Sequence, residues 1–174
     1  MKRLFLTAMA VFAVSAMFVS CNKLGQGEES SEDDGTKYAL FFNYGTDSHV
    51  TSDTPVLSDI LNKAKELTVE ADIALYGGTR KEYPFDQELS AKTEKDAKAE
   101  YNKLVEKAKS EGAKIIAELN KMKEANAAAI AGYPKDMYVN LDFGFMLLKY
   151  TPEVIGGDTV VETDCGEFKV AGSK

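Results

Sequence analysis

Tryptophan is absent from this 174-residue chain, histidine occurs once and cysteine twice. One histidine and two cysteines cannot assemble the four-ligand His/Cys sets of structural zinc sites. Two cysteines also exclude the disulfide framework of small secreted scaffolds, so stability rests on packing. Without tryptophan, a sugar- or peptide-binding surface loses its strongest stacking ring. Basic residues are the minority, 21 against 28 acidic, for a net charge of −7. Nucleic-acid binding depends on Lys and Arg neutralising phosphates, so that class of partner is excluded.

What is present is strongly zoned. Lys2 and Arg3 are followed by a mostly apolar run from Leu4 to Phe18, then Val19, Ser20 and Cys21. A positive start, an apolar core and a small residue before the cleavage point make a secretory signal. The run is shorter than the ~20 residues of a spanning helix. Residues 22–36 mix Gly25, Gly27, Ser30, Ser31 and Gly35 with Glu28, Glu29, Glu32, Asp33 and Asp34, and Leu24 is their one large apolar side chain. Such a segment buries too little to offset its ordering entropy, and its carboxylates repel one another, so it reads as an extended tether. Lys37 to Lys174 has the length of one domain with one core.

Phe18-Val19-Ser20-Cys21 resembles the lipobox of bacterial lipoproteins. The resemblance implies a diacylglycerol thioether on Cys21, removal of residues 1–20 and a third, amide-linked acyl chain. Losing Lys2 and Arg3 moves the net charge from −7 to −9. Each buried methylene contributes about 0.8 kcal/mol, so two or three chains anchor stably where one does not. The acidic run after Cys21 is similar to the surface-export signal of lipoproteins from Bacteroidota; a plain solvated spacer is the alternative. The expected location is therefore the outer membrane, on its periplasmic or its cell-surface side. The expected organisation is a signal peptide over 1–20, a lipidated, acidic and disordered tether over 21–36 and a single α+β domain over 37–174. With Cys21 acylated, Cys165 has no intrachain disulfide partner.

Within the domain, Tyr38 to Tyr44 is aromatic-rich and reads as a strand ending at Gly45, with Gly45 to Asp53 a polar loop. Thr54 as N-cap and Pro55 in the first turn open a helix. Val56, Leu57, Ile60, Leu61, Ala64 and Leu67 form its apolar face. Thr68 to Tyr76 reads as a second strand ended by Gly77-Gly78. Glu82 to Asp86 reads as an edge segment, because Pro84 cannot donate to a central ladder.

From Ala91 to Ala131 a long amphipathic helix is expected, opened by Thr93 with Asp96 as a capping box and stopped at Gly132 and Pro134. Ala97, Tyr101, Leu104, Val105, Ala108, Ile115, Ile116, Leu119, Met122 and Ile130 share its apolar stripe. Forty-one residues would span about 60 Å, against a radius of gyration near ~14 Å for the domain. The helix should therefore either overhang the domain or turn back as a helical hairpin near Ser110 to Gly112. The stripe keeps its phase across Gly112, which favours continuity and a close backbone approach there.

Val139, Leu141, Phe143, Phe145 and Leu147 alternate with more polar neighbours, marking a strand that ends before Pro152. Thr159 to Thr163 and Glu167 to Val170, joined by a turn at Asp164-Cys165-Gly166, suggest a terminal hairpin. The fold class is then α+β: a mixed or antiparallel sheet of about four or five strands, with one short and one long helix on one face.

Candidate chemistry is sparse. His49 lies among Asp47, Ser48, Thr51, Ser52 and Asp53, a spacing that matches no metal signature, and reads as a solvated loop residue. Cys165 with His49 as base would be a thiol nucleophile, but Asp164 and Glu167 flank the thiol and oppose its ionisation. Gly77-Gly78-Thr79-Arg80-Lys81 lacks the spacing that cradles phosphates. No catalytic, metal or cofactor-binding residue is nominated, and no cofactor is expected. Cys21 is the one assigned site, as the point of acylation. The reading is a non-catalytic envelope lipoprotein, a binding or accessory module held to membrane lipid through Cys21 and open to a protein partner. The alternatives are a structural lipoprotein self-associating through the long helix, and a small hydrolase or thiol enzyme.

Overall fold

The computed structural model describes residues 35–77, 87–152 and 157–174. The leader, Cys21 and the acidic tether as far as Asp34 lie outside the described residues, as do Gly78 to Lys81 and the Glu82 to Asp86 segment.

The described residues form an open four-stranded antiparallel sheet in the order β2-β1-β3-β4. Its elements are β1 (Lys37–His49), α1 (Pro55–Tyr76), β2 (Gln87–Glu88), α2 (Glu94–Ala125), α3 (Ala127–Ala131), β3 (Tyr138–Tyr150) and β4 (Asp158–Ala171). The α+β class, the long and shorter amphipathic helices and the one-sided layering are as the sequence suggests.

Register decides which side chains meet. Leu40 pairs with Leu147 and Phe42 with Phe145, and across β4 Leu141 pairs with Phe168 and Val139 with Val170. All of these are buried, and they form the sheet side of the core. The helices supply the other side through Leu57, Ile60, Ala64 and Leu75 of α1 and Ala97, Tyr101, Ala108, Ile115 and Leu119 of α2. The two helices run antiparallel. Lys107 of α2 donates to the Ala74 carbonyl near the end of α1. Lys63, near the start of α1, is held above its ordinary pKa first by its hydrogen bond to Glu66 and more weakly by Glu118 of α2.

Five expectations are corrected. Thr68 to Tyr76 is not a strand but the second half of α1. Its β-branched Thr68, Val69 and Ile73 suggest extended backbone, yet buried Thr68, Ala71, Asp72 and Leu75 continue the helical phase of Ile60 and Ala64. No glycine or proline interrupts the chain before Gly77, whose φ of 76° is the left-handed conformation that closes a helix. The Thr68 hydroxyl donates to the Ala64 carbonyl at 2.8 Å, so the helix satisfies it internally. At the other end, Thr54 makes no side-chain cap. Its hydroxyl instead accepts from the Thr51 amide at 2.9 Å and donates to the Thr51 carbonyl at 3.0 Å, holding the turn that leads into Pro55.

β1 does not stop at Gly45. It runs on to His49, because β3 offers a full-length partner down to Tyr138 opposite His49. Asp164-Cys165-Gly166 is not a turn either. β4 is one strand with a bulge there: Phe143 faces Gly166 and Gly144 faces Asp164, leaving Cys165 as the extra residue. Gly166 adopts a φ of 111°, which the bulge needs and a side chain would resist.

The long helix breaks at Asn126, not at Gly112, and Ala127–Ala131 forms a separate short helix. Asn126 directs both its backbone and side-chain N–H groups to the Met122 carbonyl. The Thr93 cap is as expected, its hydroxyl accepting from the Asp96 amide and donating to the Asp96 carboxylate at 2.8 Å. No overhang results. Thirty-two helical residues span about 48 Å and a thirteen-residue strand about 44 Å, so α2 lies along strands of its own length. Gly112 does make the expected close approach: a Cβ added to it would lie 2.3 Å from the Cys165 carbonyl oxygen. No described helix is long and apolar enough to cross a membrane.

Candidate functional site

The two candidate reactive residues are not brought together. His49 ends β1 on the face of the sheet turned away from the helices, opposite Tyr138. Its Nδ1 lies 2.8 Å from the Asp136 carbonyl oxygen and 3.9 Å from the Asp136 carboxylate, and the ring is half exposed. Cys165 sits at the bulge on the helix side, between the rows of Phe143 and Gly144. Five rows separate it from His49 along the sheet, about 17 Å, in addition to the change of face.

The surroundings of Cys165 make it a packing residue. It is 5% exposed. Burial first, then the neighbouring Asp164 carboxylate, pushes its thiol up to about 11. A nucleophilic thiol needs the opposite shift. Beside it, Tyr101 stacks on Phe145 at 4.8 Å with ring planes 7° apart. The Tyr101 hydroxyl donates to the Phe145 carbonyl at 3.0 Å and lies 2.6 Å from the Thr163 hydroxyl. This buried polar group ties α2 to the two strands beneath it.

Among the described residues, no group of three or more His, Cys, Asp or Glu side chains is placed to hold a metal ion. A shallow hollow of about 190 Å³ lies near the C-terminus, lined by Lys123, Ala127, Ile130, Ala131, Val170, Ala171 and Ser173. It is smaller than the ~300 Å³ at which small-molecule pockets begin.

The outer face of the sheet is the larger feature. The ladder places Ala39, Phe41, Asn43, Gly45, Asp47 and His49 of β1 there. Beside them lie Tyr138, Asn140, Asp142, Gly144, Met146, Leu148 and Tyr150 of β3. From β4 come Thr159, Glu162, Asp164, Glu167 and Lys169. No described helix covers this face. At one end the Tyr150 hydroxyl bonds Glu88 at 2.8 Å, and Lys37 pairs with the same carboxylate at 3.0 Å, joining β1, β2 and β3. At the other, the Tyr138 hydroxyl donates to Asp47 at 2.8 Å.

Between them lies an acidic zone. Asp142 is flanked by Asp47, Asp164 and Glu167. Its carboxyl is raised by partial burial first, with Lys169 opposing and Glu167, Asp164 and Asp47 adding to the rise.

Sequence reasoning missed this zone for a definite reason. Glu162 and Asp164 are even-numbered and Glu167 is odd-numbered, so a plain strand of period two would put them on opposite faces. The bulge at Cys165 shifts the phase and brings all three to the same side.

No protein-family model matches the chain, and comparison with curated proteins and with solved structures likewise returns no match.

Proposed function

We propose that the chain is a cell-envelope lipoprotein whose mature form begins at Cys21. Acyl chains on Cys21 hold it in the outer membrane, and residues 22–36 form an acidic spacer that can reach at most about 50 Å. Residues 37–174 then act as a non-catalytic binding or accessory module. The observation that carries this reading is the run from Lys2-Arg3 through an apolar core to Phe18-Val19-Ser20-Cys21.

Two features of the domain support a binding role. The one internal thiol is buried and held in its neutral form, which disfavours a thiol enzyme. The apolar stripe of α2 packs within the chain, so self-association through that helix loses its motive. The acidic spacer is repelled by anionic headgroups, which keeps the domain clear of the bilayer.

The test is intact mass of the protein purified from native membranes. The expected result is a chain starting at residue 21 and heavier by two or three acyl groups, with both features lost in Cys21→Ala. An unmodified cysteine, or a retained leader, would overturn the reading.

A further inference from the structure

We infer that the outer sheet face is a docking surface for a basic polypeptide segment, a stretch of a partner protein carrying an apolar side chain between lysines or arginines. This rests on the binding-module part of the proposed function and not on acylation.

The face has two halves. Towards the start of β1, Ala39, Phe41, Met146 and Leu148 are neighbours across the ladder, and the last three are partly exposed. Towards its end, the rows from Phe41–Met146–Glu162 to His49–Tyr138–Ala171 carry Asp47, Asp142, Glu162, Asp164 and Glu167. Against these five acids, Lys169 is the only lysine or arginine among the described residues of those rows.

At Gly45 an added Cβ would find only the Asp142 carbonyl oxygen, at 4.0 Å, so the floor beside Asp142 is open. Three strands at about 4.8 Å spacing and about 40 Å length offer roughly 600 Å², near the ~800 Å² per partner of a standard interface.

Charge chooses the occupant. A second copy of this chain would set carboxylates against carboxylates, and an anionic lipid surface would be repelled in the same way. A neutral apolar partner would strip water from Asp142 and its neighbours without replacing it. The acids do not converge on one point, so a single metal ion is not the match. A basic segment neutralises the spread of carboxylates while its apolar residue covers Phe41 and Met146.

The experiment uses the full chain in non-ionic detergent and a fluorescent nonapeptide of alternating glycine and lysine around one central phenylalanine. Saturable anisotropy that weakens with salt is expected. Asp142→Asn with Glu167→Gln should weaken binding about tenfold, the loss of one partly buried and one exposed charge contact. Met146→Gln should also weaken it. Glu106→Gln with Glu118→Gln changes the net charge equally on the far side of α2 and should leave affinity within about twofold.

Four results overturn the proposal: no saturable binding, equal binding of a glutamate version of the peptide, an equal loss in the α2 variant, or loss when residues 28, 29, 32, 33 and 34 are made neutral amides. If binding fails while Cys21 proves acylated, the docking surface falls and the anchor stands.

Discussion

Replacing Gly112 with alanine should destabilise the domain although alanine is the better helix former. In an exposed helix interior the exchange would gain about 1 kcal/mol. Here the new Cβ would lie 2.3 Å from the Cys165 carbonyl oxygen, 2.8 Å from its Cβ and 3.2 Å from its carbonyl carbon. Two of these are backbone atoms, which no rotamer change can move. Relief requires α2 to lift from β4 by about 1 Å, towards an ordinary non-bonded separation. That movement strains the Tyr101 bonds to Phe145 and Thr163 and the ring stack beside them. Overpacking of this kind costs about 3 kcal/mol, at the upper end of the usual range, so the net loss is about 2 kcal/mol. With a urea slope of about 2 kcal/mol/M, the unfolding midpoint should fall by about 1 M. Ala113→Gly, on the exposed side of the same turn, should cost only the intrinsic ~1 kcal/mol. Adding Cys165→Gly to Gly112→Ala should rescue little, since the carbonyl oxygen remains. A Gly112→Ala protein as stable as the parent in urea would refute the close approach and with it the placement of α2 on the bulge.

Other outcomes follow from the same packing. The Cys165 thiol is raised from 9.0 to about 11 in the fold. The unfolded chain therefore releases this proton first, and stability present below pH 9 should decline by about 2–3 kcal/mol as pH rises to 11. Cys165→Ala should remove that part of the alkaline slope in urea titrations. Tyr101→Phe should cost about 1–2 kcal/mol, because a buried carbonyl and hydroxyl lose their partner, with the effect seen in the same assay. Asp142 has a raised pKa, so its ionisation disfavours the folded state. Asp142→Asn should then raise the urea midpoint at neutral pH, and the difference should vanish as pH falls through the carboxylate range.

The readable parts of the sequence are those where local chemistry and tertiary packing agree. The alternation of Val139 to Leu147 needs only one buried face, and it is what β3 shows. Thr93 caps α2 with groups three residues away. Gly112 falls on an apolar stripe, which forecasts close approach before any partner is known. The misreadings occur where a distant strand decides. Gly45 to His49 looks like a loop until β3 provides a ladder for it, and Asp164-Cys165-Gly166 looks like a turn until Phe143 and Gly144 show that the strand continues. In Thr68 to Tyr76, β-branched residues argue for extension while the burial phase argues for helix; the phase wins because α2 and the sheet are there to receive it. The acidic outer face was hidden by the same bulge, since its parity reverses in mid-strand.

The innermost strand pair joins the beginning of the domain to a segment made much later: Leu40 faces Leu147. At a synthesis rate of about 5–20 residues per second, β1 waits roughly 5–20 s for its neighbour to be made. During that interval β1 has only the two residues of β2 to pair with, Glu88 beside Ala39 and Gln87 beside Leu40, and non-local pairing of this kind is slow to form even afterwards. The export proposed above would call on a chain that is still slack. The topology supplies that delay by itself, because the fold cannot lock until its penultimate strand arrives.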